Sequence, residues 1–386
     1  NDFVDMVCVG EGEYPMLELA NSMQKGLVDY SIKNIWFKHN GNIIQNDIRE
    51  LLDNLDSFPF ADHDIYYDLS KFFKVGYNIS TSRGCPNACT YCSHSYLHEL
   101  YTGKGRYVRQ RSVYNVISEL LEAKRKFGFG LAVFMDDCFG MDIHWLKDFS
   151  QEYKKNIGVK YTCTMHPEHV YPESANILKE SGCCQVTLGI QSLDESIRKD
   201  MMGRYTSNEV LYKAMNAIQD ENINLLVDNM YGFPGQDEDN LIHLTRFYTY
   251  RKPKRIFFYR LKYFPNTRIT KKVQESNELS ALASREILDG KVKVGVSLDS
   301  FIHSRKNGSK IYSRLQFFLF LLDVLPGRIT RYIIKNRLYR YYPSFLNPAL
   351  FVAIRIIFAS DYDSRLLRSR IILSYISFMR KRLCQV

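Results

Sequence analysis

The sequence predicts an α/β fold made of parallel βα units, and three observations carry that expectation. Six short apolar runs, starting at Tyr77, Leu131, Val159, Cys184, Ile223 and Arg255, alternate with stretches of helical periodicity. The helical stretches carry start and stop residues: Ser112 precedes Val113, Val116, Ile117, Leu120 and Leu121 on one face, and Gly128 follows them. A loop bearing three cysteines, "SRGCPNACTYCSH" (Ser82–His94), follows the first run. Parallel βα folds place their chemistry at that end of a strand.

The elements are expected in this order. Residues 3–9 form a short buried strand, with a helix from about Tyr14-Pro15. Ile35–Gln45 is a hairpin turning at Asn40-Gly41, residues that tolerate positive φ. "ELLDNLDSFPFADHD" gives a helical turn and a polar linker up to about Leu69. Then come the strands: "YNIST" from Tyr77, Leu131–Met135, Val159–Met165, Cys184–Ile190, Ile223–Gly232 and Arg255–Phe264. Helices lie between them, one through Trp145 and Phe149, one over Glu173–Glu180 ending at Gly182, one reaching about Glu221 and one from Glu238. The βα pattern fades beyond about Ser280, where the chain becomes basic and mainly helical.

A chain of 386 residues exceeds one ordinary core and predicts two or three units. No run of about 20 apolar residues exists to cross a bilayer as a helix. The nearest, "LQFFLFLLDVL" from Leu315, is short and carries Gln316 and Asp323. Nine cysteines, an odd number with one cluster, argue against a secreted disulfide framework and fit a reducing cytosol. The net charge of +10 is uneven: from Phe301 onward there are 16 Lys+Arg against 3 Asp+Glu. Basic amphipathic helices of this kind cap an open barrel, lie on an anionic membrane or lipophilic substrate, or bind RNA, and composition does not separate the three.

Cys85, Cys89 and Cys92 stand in the spacing C-x3-C-x2-C. A structural zinc site wants four ligands, and the nearest fourth candidate is His94. Thiolates also hold iron–sulfur cubes, where three cysteines leave one iron open to a substrate or cofactor. Gly84 and Pro86 suit a ligand wrap, and Tyr91 offers a flat face beside the open corner.

"CPNACTYC" resembles the signature of the radical S-adenosylmethionine (SAM) superfamily. The resemblance implies a partial (βα)6 TIM-like barrel whose cysteines hold a [4Fe–4S] cluster. It also implies that SAM chelates the open iron and is cleaved to methionine and a 5′-deoxyadenosyl radical. "GIQSLDESIRKDMMGRYT" (Gly189–Thr206) and "VDNMYGFPGQDEDN" (Val227–Asn240) are similar to segments of oxygen-independent coproporphyrinogen oxidase and the tRNA methylthiotransferases. On that likeness Gln191 sits near the SAM ribose and methionyl end, Arg204 pairs with its carboxylate, and Asp228 accepts from its ribose hydroxyls. Asp136, with Asp137, stands where many members contact the SAM amino group, and an Asp there resembles the cobalamin-dependent branch. The rival for that pair is a carboxylate metal site. "CTMHPEH" lacks the coproporphyrinogen oxidase glutamate. Cys138, Cys163, Cys183 and Cys184 are expected to be buried small side chains.

"VDMVCVGEGEYPMLELANSM" resembles the last strand and helix of the Rossmann-like cobalamin-binding domain of class B members, and "GNIIQND…LLDNLDSFPFAD" their connector. The expected domains are 1–30, the remnant of that cobalamin domain; 31–75, a connector with a hairpin; 76–280, the radical SAM core; and 281–386, a basic helical region. Asn1 in place of Met leads to the expectation of an N-terminally truncated chain. The cobalt-ligating D-x-H-x-x-G is absent, "DIHWLK" (Asp142–Lys147) being a near-match without the glycine, so cobalamin is assigned to a longer parent. The implied function is cobalamin-linked methylation or rearrangement of a small metabolite, with a lipophilic or tetrapyrrole-like one among the options. An electron donor such as flavodoxin or ferredoxin, a cytoplasmic location and a membrane-peripheral tail complete the expectation, with nucleic acid disfavoured. The alternatives are an RNA-modifying methylthiotransferase and a zinc-stabilised binding module.

Overall fold

The computed structural model describes residues 3–67, 76–275 and 325–341. The N-terminal part is a small antiparallel sheet in the order β1 (Met6–Cys8), β2 (Ile35–His39), β3 (Asn42–Gln45). Asn40 and Gly41 join β2 to β3 at φ +49° and +79°, the two left-handed positions a tight hairpin needs. α1 (Glu13–Gln24) covers this sheet by packing Leu19 on Ile32, Ile35 and Phe37. β1 pairs antiparallel with β2, so the sheet runs across the expected boundary at residue 30. A strand assigned to one unit and a hairpin assigned to the next share their hydrogen bonds. α2 (Asp64–Tyr67) ends this part.

The chain then enters β4 (Tyr77–Ile79) and a two-stranded ribbon of β5 (Ser82–Arg83) and β6 (Arg109–Gln110) that encloses α3 (Ser93–Leu100). Regular alternation follows: α4 (Val113–Phe127), β7 (Leu131–Phe134), α5 (Ile143–Asn156), β8 (Lys160–Met165), α6 (Pro172–Glu180) and β9 (Cys183–Gln191). It continues with α7 (Asn208–Asp220), β10 (Asn224–Tyr231), α8 (Glu238–Tyr250), β11 (Arg255–Arg260) and α9 (Arg268–Glu275). β4, β7, β8, β9, β10 and β11 form one parallel sheet in sequence order. Among the described residues β4 and β11 are its edges, which makes this a partial (βα)6 barrel.

Local chemistry explains the element ends. The Ser112 side chain accepts from Asn115 N at the start of α4, and Gly128 at φ +64° stops it. The face that α4 buries is Val116, Ile117, Leu120 and Ala123; Leu121, expected on it, is 45% exposed. At 3.6 residues per turn, position 121 lies beyond Ile117 on the rim of that face, about 100° or more from Val116, Leu120 and Ala123. The carboxyl halves of β9 and β10 alternate. Val186, Leu188 and Ile190 of β9, and Val227 and Tyr231 of β10, are buried against the helices. Thr187 and Gly189 in β9, and Asp228 and Met230 in β10, are half-buried on the other, concave face. That concave face and the carboxyl ends of its strands carry the site.

Of the basic C-terminal region, only α10 (Gly327–Lys335) and the turn Leu338–Tyr341 are described. α10 lies on α8, with Arg331 Nη1 donating to Thr249 O at 3.1 Å. Tyr339 is buried and its hydroxyl donates to Glu238, which Arg340 Nη2 also meets at 2.9 Å. This segment covers the outside of the barrel; the rest of the expected helical region lies outside the described residues. Among the described residues no helix is long and apolar enough to cross a membrane.

Candidate active site

β5 runs into Gly84, at φ +83°. A Cβ there would stand 2.4 Å from the Tyr107 carbonyl oxygen, so this entry to the loop admits only glycine. Cys85, Cys89 and Cys92 are free thiols, Cys89 buried and the others half-buried. Cys92 N donates to Cys89 O at 3.0 Å, and α3 begins at the next residue. His98 holds the other end of the loop through its ring Nε2 and Cys85 O, 2.8 Å apart. Burial pushes the Cys85 and Cys92 thiols up, as expected for sulfurs withdrawn from water. Among the described residues no three His, Cys, Asp or Glu side chains are placed to hold a single metal ion. Three thiols on one wrapped loop instead form a soft donor set suited to an iron–sulfur cluster.

The loop docks on residues 201–204, which follow β9 and a π-helical turn over Ile197–Met201. Thr90 donates to Met202 O through N at 3.0 Å and to Met201 O through Oγ1 at 2.5 Å. Gly203, at φ +65°, lets the two backbones approach; a Cβ would lie 3.2 Å from Thr90 Cγ2. From the other side, Ile269 N in α9 donates to Thr90 O at 3.0 Å.

This docking delivers Arg204. Its Nη2 donates to Gly189 O at 2.8 Å and its Nη1 lies 3.7 Å from Cys89 Sγ. Its Nε is buried without a hydrogen-bond partner. Burial works against the charge, but Tyr91 and Cys89 more than offset it and hold the guanidinium above its ordinary pKa. Tyr91 faces the same guanidinium, and burial drives its phenol pKa up while Arg204 opposes the rise. Phe233 meets Tyr91 edge-on, with ring centroids 5.7 Å apart. A buried, fixed cation beside the thiols has the chemistry to receive an anionic group such as a carboxylate.

Gln191 ends β9 at φ +65°. A Cβ on Gly189 would stand 2.8 Å from its Nε2, so glycine two residues earlier leaves the space in which that amide lies. The register slips here, Asp228 pairing with Gly189 and Asn229 with Gln191. Gln191 therefore stands at the end of β9 beside Gly189, whose carbonyl Arg204 reaches, while Asp228 pairs with Gly189 from inside β10.

Asp136 is placed differently from the expectation. It is 4% exposed, and its Oδ1 accepts from Thr81 N at 2.9 Å, Thr81 Oγ1 at 2.8 Å and Ser82 Oγ at 2.5 Å. Burial raises its pKa and these donors pull it down. It fastens the strand end that leads into the loop; to reach SAM it would have to leave those donors. Asp137 turns the other way, its Oδ2 3.0 Å from His94 Nε2, so the two carboxylates diverge and do not form a metal pair. His94 also meets the Tyr107 hydroxyl through Nδ1 at 2.6 Å, so both ring nitrogens are engaged and it is not a free fourth ligand.

Two residues that the sequence did not mark belong to this assembly. Arg198 is wholly buried and donates to Thr206 O at 3.0 Å and to Ser192 O, tying together the segment that carries Arg204. His166, at the end of β8, is 8% exposed, and burial, then the Arg204 charge, push its pKa down to about 3. No composition or spacing signal separates this arginine from a solvated one. Cys138, Cys163 and Cys183 are buried as expected, while Cys184 is half-buried with its thiol 3.1 Å from Tyr161 O.

The model of the Radical SAM superfamily matches residues 79–248, the segment from β4 into α8. This chain carries a radical SAM domain. Enzymes of the superfamily use a [4Fe–4S] cluster and SAM, and the three thiols and the Arg204 cation fit those two groups. An uncharacterized methyltransferase of Pyrococcus horikoshii is 27% identical over 63% of this chain and 52% of its own length. Cytidylyl-2-hydroxyethylphosphonate methyltransferase of Streptomyces wedmorensis is 24% identical over 54% of this chain and 45% of its own. The chain thus spans about half the length of these curated relatives. The cobalamin-dependent SAM radical enzyme OxsB, solved with aqua-cobalamin bound, shares the fold with a TM-score of 0.61 over 97% of this chain and 59% of its own, at 18% identity.

In the radical SAM domain the D-x-H run at Asp142 is a helix start: the Asp142 carboxylate accepts from His144 N at 2.8 Å as the cap of α5. No described residue is assigned to cobalamin.

Proposed function

We propose that this chain is the catalytic core of a radical SAM methyltransferase acting on a small metabolite. Methyltransferase names on two sequence relatives support the reaction class. The observation that carries the chemistry is the Arg204 guanidinium, buried 3.7 Å from the Cys89 thiol with one N–H unanswered.

A [4Fe–4S] cluster on Cys85, Cys89 and Cys92 supplies, when bound, the electron that splits SAM to methionine and a 5′-deoxyadenosyl radical. The chain's own residues do the rest. Arg204 receives the SAM carboxylate and fixes its orientation, since a planar fork held at Gly189 O cannot rotate freely. Tyr91 closes one side of that receptor. Gln191 and Asp228, on the concave face, offer hydrogen bonds to the ribose and methionyl end. Asp136 holds Thr81 and Ser82 so that the loop enters at one angle. An external one-electron donor such as flavodoxin or ferredoxin is required.

Anaerobic reconstitution tests the reading. We expect about four irons per chain and dithionite-driven release of 5′-deoxyadenosine from SAM. One zinc with no iron, or SAM left intact under dithionite, overturns it.

A further inference from the structure

The ribbon of β5 and β6 is the neck of the cysteine loop: residues 84–108, which carry all three cysteines and α3, leave and return through it. The neck is two residue pairs long, Ser82 with Gln110 and Arg83 with Arg109. A two-stranded ribbon has little stability of its own, and opposed residues of an antiparallel pair share a face, where like charges repel. Two arginines therefore stand opposite each other where the loop begins, Arg83 lying two residues before Cys85.

The counter-charges come from the N-terminal part of the fold. The turn Gly10–Glu13, between β1 and α1, sets two carboxylates against the pair. Glu11 takes Arg109 on both oxygens, Nη1 donating to Oε2 at 3.2 Å and Nη2 to Oε1, and its Oε1 lies 3.5 Å from Arg83 Nη1. Glu13 pairs with Arg83 Nη2. Arg109 is 2% exposed, so removing the Glu11 charge strands a buried cation. The backbone seats the turn as well: Glu11 N donates to the Tyr101 hydroxyl at 2.8 Å, just past the end of α3. Gly10, at φ +88°, makes that approach possible, since a Cβ there would stand 2.1 Å from the same hydroxyl oxygen. The connector adds two bonds, Arg109 Nη1 to Leu52 O at 2.8 Å and Leu51 N to Lys104 O at 2.7 Å. The barrel thus holds the loop at Thr90, and the N-terminal turn holds its neck.

We propose that Glu11 and Glu13 are positioning residues for the cluster: by neutralising the opposed arginines they close the neck of the cysteine loop, so that the cluster chemistry depends on the seating of the N-terminal turn. This rests on reading the cysteine loop as the cluster site. Neither carboxylate touches a cysteine; both act through the ribbon. Removing an outer partner of a metal site costs 10- to 100-fold in affinity or activity, and partners this far out belong at the lower end.

The test compares the reconstituted full chain with its Glu11→Gln/Glu13→Gln variant at saturating SAM. Release of 5′-deoxyadenosine should fall about tenfold, and the electron paramagnetic resonance spectrum of the reduced cluster should change shape. Adding Arg83→Gln relieves the repulsion and should restore part of the rate. Glu18→Gln is the control. Glu18 grips Arg49 through both oxygens, at 2.9 and 2.6 Å, within the N-terminal part, and that variant should keep the wild-type rate and spectrum. Amide hydrogen exchange over residues 84–108 in cluster-free protein gives a second readout, quickened in the double variant and not in Glu18→Gln. Should the double variant fail to fold, Glu13→Gln, at a half-exposed pair, carries the same comparison. A wild-type rate, spectrum and exchange in the double variant overturn the proposal while the catalytic reading stands. An equal loss in Glu18→Gln, or no recovery with Arg83→Gln, overturns it too. Wild-type protein that leaves SAM intact removes the catalytic reading, and the proposal with it.

Discussion

Arg204 and Cys89 meet at 3.7 Å although 115 residues separate them in the chain. The contact exists because Thr90 is bonded to Met201 and Met202, which brings Arg204 over the loop. Replacing Arg204 by alanine removes a charge-assisted bond of about 1.5–3 kcal/mol. SAM affinity should fall by roughly 10- to 150-fold, and Arg204→Lys should recover only part, since an ammonium lacks the fork. Titration of reconstituted protein with SAM checks this; unchanged affinity in Arg204→Ala would remove the carboxylate-receptor role.

Gly84 should be intolerant of any side chain. Gly84→Ala must accommodate both φ +83° and a contact of 2.4 Å with backbone. Gly103, at φ +72° with open space around it, is the control: its alanine variant costs about 1 kcal/mol of backbone strain alone. Iron content after reconstitution should drop sharply in Gly84→Ala and stay near wild type in Gly103→Ala.

Asp136→Asn should loosen the loop without touching a cysteine. An amide of the same shape keeps one acceptor oxygen but loses the charge that draws Thr81 N, Thr81 Oγ1 and Ser82 Oγ together. A loss of about 2–3 kcal/mol in unfolding free energy is expected. Urea titration at constant m-value measures it; a change under about 0.5 kcal/mol, the range of an unremarkable surface site, would refute the clamp.

His166 makes stability fall in mild acid. Its folded pKa is near 3 against 6.5 for the free side chain, so the unfolded state takes up the proton first. The stabilisation is complete above pH 6.5 and is lost progressively as pH drops toward 3. The slope approaches about 1.4 kcal/mol per pH unit. Denaturant titrations at pH 6.5 and 5.0 should show a loss up to about 2 kcal/mol larger in wild type than in His166→Gln, which cannot titrate. Equal losses in both would mean the ring is not buried neutral.

Arg198→Ala should uncouple the segment that carries Arg204. It strands the Ser192 and Thr206 carbonyls and leaves a void where a wholly buried side chain stood. About 3 kcal/mol of destabilisation is expected, together with weaker SAM binding measured by calorimetry. Normal stability would show that Arg198 is dispensable.

The six strands and both ends of α4 were legible because each depends on neighbours within a few residues: periodicity, a serine before an apolar run, a glycine after it. The cysteine triplet was legible for the same reason, its donors lying on one loop. Leu121 was misplaced because a helix face is decided by a rotation that one residue shifts by a third of a turn. For Asp136, position along the chain did not say which way the carboxylate turns; the structure turns it onto Thr81 and Ser82. His94 looked like a spare ligand until both its ring nitrogens were found engaged with Tyr107 and Asp137.

By itself the sequence determined the alternation of strands and helices, the thiol spacing and the basic tail, all properties of short stretches. Only the tertiary structure decided which residues face one another: the slipped register at Asp228 and Asn229, the guanidinium over Cys89, the carboxylate folded back on Thr81 and Ser82. The physical reason is that hydrogen bonds and burial act over a few ångströms in space, while the partners they join here lie tens to more than a hundred residues apart.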